Sequence, residues 1–155
     1  MRMARGIVIA LVAGVVVAGT ASGQERKMKR SELPPAVERA VAAQSQGAKI
    51  RGFSQETQNG QSLYEVEMTV NGHSKDVLLD AKGEVVEVEE QVALDALPAA
   101  VRAGLTAKAH GGKIGKVESI TKQGKLVAYE AVVTTNGKRS EIQVGPDGKP
   151  LAHEE

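Results

Sequence analysis

The chain has 155 residues, 41% hydrophobic and 25% charged, a composition that suits a soluble globular protein of one or two small domains. One Phe, two Tyr and no Trp leave little aromatic surface for stacking on bases, and 20 basic against 19 acidic residues favour neither phosphate backbones nor anionic lipid, so nucleic acid is not an expected partner. The lack of cysteine excludes disulfides, a thiolate nucleophile and a Cys-based zinc site.

Arg2 and Arg5 precede an uncharged run from Gly6 to Gly23, closed by small residues at Ala18-Gly19-Thr20-Ala21-Ser22-Gly23. This pattern predicts a signal peptide over residues 1–23, cleaved after Ala21 or Gly23, and a periplasmic or secreted mature protein. The strongly apolar part from Ile7 to Ala18 is 12 residues, and a membrane span needs about 20, so no span is expected after signal removal. Residues 24–30, polar and without periodicity, read as a flexible lead-in.

The remaining chain reads as two tandem units, 31–90 and 96–152, joined by a linker at 91–95 and followed by a tail at 153–155. Leu33-Pro34 returns as Leu97-Pro98, 64 residues on, and Tyr64 returns as Tyr129, 65 on, with one residue gained near Leu126 in a turn. This recurrence predicts internal duplication. Each unit opens with a short helix, begun near Ser31 or Asp95 and the following prolines, with stripes at Val37, Ala40, Val41 and at Val101, Gly104, Leu105. Gly47 and Gly111-Gly112 are placed to end the helices.

Four strands are expected in each unit. In the first they lie near Lys49–Thr57, Leu63–Val70, Lys75–Leu79 and Glu84–Glu90. In the second they lie near Ile114–Lys122, Leu126–Thr135, Lys138–Val144 and a short piece at Lys149–Ala152. Asn71-Gly72 and Asn136-Gly137 are hairpin signals, since both residue types tolerate positive φ. The fold class expected is therefore α+β, each unit one helix packed on a four-stranded antiparallel sheet.

Alternation assigns the faces. Tyr64, Val66, Met68, Val70, Val77, Leu79, Val86 and Val88, with Tyr129, Ala131, Val133, Ile142 and Val144, should carry the helices. Glu65, Glu67, Asp76, Asp80, Glu87 and Glu89 fall on the opposite face, where Leu126, Ala128, Glu130 and Val132 are also expected. Glu65, Glu67, Glu87 and Glu89 are candidate partner-binding residues as an electrostatic rim, with Leu126 and Val132 as apolar contacts.

The order of one helix and four strands, with Tyr64-Glu65-Val66 in the second strand and Val77-Leu78-Leu79-Asp80-Ala81-Lys82-Gly83-Glu84-Val85-Val86-Glu87-Val88-Glu89 across the last hairpin, resembles the PepSY-like domains, including the β-lactamase-inhibitor-like group. Leu33-Pro34-Pro35-Ala36-Val37 and Leu97-Pro98-Ala99-Ala100-Val101 are similar to the way those units open. The resemblance spans Leu33 to Leu151; the second unit departs from it where Gly145-Pro146-Asp147-Gly148 replaces Asp80-Ala81-Lys82-Gly83. It implies secreted or periplasmic protein-binding modules, some inhibitory or chaperoning toward thermolysin-type metalloproteases, and it transfers no catalytic residue. The β-lactamase inhibitory proteins have aromatic-rich, disulfide-bearing loops that this chain lacks, so β-lactamase is not the expected target.

The reading that follows is a non-catalytic protein-binding module, peptidase-inhibitor-like, whose partner is an extracytoplasmic protein such as a peptidase or other hydrolase. No cofactor is expected. His73, His110 and His153 have no metal-site spacing, and no serine stands in a G-x-S-x-G elbow. The alternative is a small-ligand or cation-binding envelope protein, using Asp80 with Glu84, or Glu87, Glu89 and Glu90, as oxygen ligands.

Overall fold

The structure is a computed structural model that describes residues 25–58, 60–153 and 155; the signal peptide expected at 1–23 lies outside the described residues. Strands β1 (Arg26–Met28), β2 (Lys49–Gln58), β3 (Gln61–Val70), β4 (His73–Asp80), β5 (Val85–Val92), β6 (Lys113–Lys122), β7 (Lys125–Thr135) and β8 (Lys138–Val144) form one antiparallel sheet in sequence order. Helices α1 (Pro35–Gln44) and α2 (Ala99–Lys108) precede β2 and β6.

Local chemistry accounts for the meander. Asn71-Gly72, Gln123-Gly124 and Asn136-Gly137 all have positive φ at both positions, the backbone of a two-residue turn whose twist matches its strands. A single 3₁₀ turn at Arg30–Glu32 or Leu94–Ala96 leads to Pro34 or Pro98, and the helix starts behind that proline with no side-chain cap from Ser31 or Asp95.

Both helices cover the same face of the sheet. Leu33, Val37 and Val41 pack with Phe53, Val66, Met68, Val77 and Leu79. Leu97, Val101 and Leu105 pack with Val117, Ala131 and Val144. Val88 of β5 supports the first cluster and Val92 the second, so one strand contributes to both.

Several expectations need correction. The sheet is not divided in two, because β5 pairs with β4 on one edge and with β6 on the other. Gln91 and Val92, read as linker, belong to β5 and face Glu118 and Val117. The lead-in is not free chain: Met28 sits opposite Phe53 and packs on the first core. Three residues of β-strand are too few to give a periodicity that sequence reading can see.

The pairing of Met28 with Phe53 recurs as Val92 with Val117, each partner 64 residues on (92 − 28 and 117 − 53). At the far end, Lys149–Ala152 forms no strand. The turn from Gly145 to Lys149 repeats the backbone hydrogen bonds of the turn from Asp80 to Glu84, but Pro150, which has no N–H to donate, stands where Val85 begins β5.

Two bulges also shift faces. Leu78 pairs with Glu87 and Leu79 with Val85, so Val85 packs on the core in place of Val86. In β7, Ala128 pairs with Ile120 and Leu126 with Thr121. The extra residue, Val127, therefore lies in the strand and not in a turn.

Candidate functional site

The sheet face away from the helices is concave and carries cross-strand rows of carboxylates. One row runs Ser54, Glu65, Leu78, Glu87, Lys122; the next runs Gly52, Glu67, Asp76, Glu89, Ile120. A third runs Gln91, Glu118, Glu130, Gln143. Like charges directly opposite one another destabilise a sheet, and Glu67, Asp76 and Glu89 stand so on three successive strands.

A trough of about 520 Å³ opens on this face; among the described residues it is lined by ten carboxylates, including Glu65, Asp76, Glu89, Glu118 and Glu130, and by one cationic side chain, Lys116. Basic residues at the margins hold part of the charge. Lys27 reaches Glu67 at 2.6 Å, Arg51 reaches Asp76 at 3.0 Å, Lys116 reaches Glu118 at 2.7 Å and Lys122 reaches Glu87 at 3.5 Å. Other acids rest on neutral donors: the Ser54 hydroxyl donates to Glu65 at 2.6 Å and the Gln143 amide to Glu130 at 2.9 Å.

Burial pushes several of these carboxyls upward. Glu89 rises to about 8, first because it is desolvated, then through its hydrogen bond with Glu87 and the charges of Glu87, Glu130 and Glu118. Burial also raises Glu65 against the Ser54 bond, Asp76 against the Arg51 charge and Glu130 against the Gln143 bond. Desolvation, followed by Glu87, raises Glu56. Such a face holds protons at neutral pH or takes up external positive charge.

Carboxylate oxygens of Asp76, Glu89 and Glu118 lie within 4.8 Å of one another, close enough for one cation to meet all three. The other carboxylates considered for a cation are dispersed. Asp80 accepts from the backbone N–H groups of Lys82 and Glu84 and so closes its own turn. Glu90 points to the helix side, pairing with Lys75 at 2.7 Å. His73, His110 and His153 are exposed and lie outside the trough.

Of the candidate contact residues, Glu65, Glu87 and Glu89 line the trough, and Glu67 lies beside it on Lys27. Val132 is buried on the same face, opposite Glu141. Leu126 is not there. Opposite Thr121, it shares the side of Val88, which packs on the helix-side core; the bulge at Val127 turns it over. Sequence reading did not single out Glu56, Glu118 or Glu141. Glu118 could have been found through the 64-residue offset, since it takes the place of Ser54.

No protein-family model matches this chain, and no curated protein matches it. Solved structures do. A candidate periplasmic protein from Bacteroides eggerthii matches with TM-score 0.63 and 21% identity, covering 77% of this chain and 86% of its own. A DUF2874 family protein from Bacteroides ovatus gives TM-score 0.59 and 18% identity over 77% and 84% of the two chains. A BLIP-like protein from Bacteroides fragilis gives 0.55 and 19% over 79% and 86%. The fold is thus that of BLIP-like and DUF2874 proteins: α+β, two helices on an eight-stranded antiparallel sheet.

Proposed function

We propose that this is a non-catalytic extracytoplasmic binding module of two PepSY-like halves that receives a basic segment of a partner protein on its concave sheet face. The observation that carries this reading is the trough itself, with ten carboxylates against one lysine among the described residues, on the face that the helices leave uncovered. A surface of one sign on a concave wall focuses its field outward and steers an oppositely charged partner. The leader-like stretch at 1–23 supports export, and the fold shared with a candidate periplasmic protein and a BLIP-like protein supports the same setting.

The test is titration of a lysine- and arginine-rich peptide into the purified protein at low and high salt. Binding should weaken steeply with ionic strength and weaken further in a Glu65→Gln, Glu130→Gln double variant. Salt-independent binding, or equal binding by the double variant, would remove the concave face from the account.

A second reading, uptake of a hard divalent cation, is favoured by the mutual approach of Asp76, Glu89 and Glu118. Calorimetric titration with calcium decides it: heat that disappears in Glu89→Gln supports the reading, and an absence of heat ends it.

A further inference from the structure

We propose that β8 is a self-association edge, through which two copies of this chain pair antiparallel about a two-fold axis at Ser140. In the first half of the sheet the corresponding strand, β4, is covered by β5; among the described residues β8 has no strand on its outer side.

The two-residue turn Asn136-Gly137 joins Thr135 to Lys138, and the β7–β8 register runs unbroken from there to Tyr129 opposite Val144. A turn of this kind closes on a hydrogen-bonded pair, and bonded and non-bonded pairs then alternate. Lys138, Ser140, Ile142 and Val144 accordingly bond inward to β7. Arg139, Glu141 and Gln143 present their backbone groups outward.

The outward carbonyl of Gln143 is already satisfied, since the Lys108 ammonium donates to it at 3.0 Å. Free strand edge therefore remains at Arg139 and Glu141, both exposed. Among the described residues, neither side chain has an ion-pair partner in its own chain.

These two positions select both occupant and register. A second β8 centred on Ser140 sets Arg139 opposite Glu141 of the other copy, twice, satisfying four outward N–H groups and four outward carbonyls with two charge-complementary pairs. Centring on Glu141 would oppose like charges. An antiparallel pair about this axis keeps both helix layers on one side, so the two concave faces become continuous.

The chain has no cysteine, which gives a clean test. At the axis Ser140 meets its own copy in a non-bonded pair with Cα atoms about 4.5 Å apart, within disulfide range. Under mild oxidation Ser140→Cys should form a disulfide-linked dimer, whereas Glu141→Cys should not. In sedimentation equilibrium, Arg139→Glu and Glu141→Arg should each weaken self-association about tenfold, and the double exchange should restore it. A monomer at all concentrations up to about 1 mM, or preferential crosslinking of Glu141→Cys, would overturn the proposal.

Discussion

Gly104 on α2 and Gly148 in the turn after β8 meet backbone to backbone, so closely that a Cβ on Gly104 would overlap the Gly148 carbonyl oxygen. The first half makes a looser version of this contact. Ala40 stands in the helix, and a Cβ added to Gly83 would lie 3.3 Å from the Ala40 Cβ and 2.6 Å from the Ala36 carbonyl oxygen. Alanine is the better helix former, yet Gly104→Ala should cost about 2–3 kcal/mol, because the obstacle is backbone that cannot rotate away. Urea denaturation of the variant checks this; a gain in stability would mean that α2 moves off its turn freely.

Leu105 is fully buried on the same helix, against the second core. Truncation to alanine leaves a cavity under a short helix that buries Val101 and Leu105 in this core, and should cost about 3 kcal/mol. Leu94, 37% exposed, is the control and should change stability by about 0.5 kcal/mol or less. Equal losses at the two positions would show that α2 does not anchor its half of the sheet.

Much of this architecture is legible in the residues, because the signals are local. Asn71-Gly72 and Asn136-Gly137 mark hairpins by backbone preference, the prolines mark helix starts, and alternation places Glu65, Glu87 and Glu89 on the outer face. What sequence reading misses is set by distant pairing. The dual role of β5 depends on an edge it offers to β6, and the approach of Glu118 to Asp76 and Glu89 depends on the same ladder. Leu126 fails for another reason. Period-two alternation carries an error past any bulge, so the residue gained at Val127 inverts the side assigned to its neighbour.

Arg51 lies at the margin of the trough, with its guanidinium donating to the Asp76 carboxylate at 3.0 Å and to the Met68 carbonyl at 3.2 Å. Asp76 is the less exposed partner, its side chain at 15% against 41% for Arg51. Arg51→Ala should therefore cost about 1 kcal/mol, more than a fully solvated pair, because a half-buried carboxylate loses its nearest cation. Double-mutant cycles with Asp76→Asn measure the coupling. A coupling indistinguishable from zero would make Arg51 a spectator of the acidic face.

The proton on Glu89 gives the face a pH dependence of definite sign. Desolvation and the neighbouring carboxylates push the native carboxyl up to about 8, against an ordinary value of 4.5 in the unfolded chain. Between those limits the native state binds more protons than the unfolded state, so the contribution to stability is fully present below about 4.5 and is lost as pH rises through about 8. Glu65, Asp76, Glu130 and Glu56 shift in the same direction and add to the slope. Glu89→Gln, which imitates the protonated form, should match the parent near pH 4.5 and exceed it in denaturant midpoint at pH 9, with a shallower decline between. Parallel profiles for the two proteins across that range would show that the Glu89 carboxyl titrates alike in the native and unfolded states.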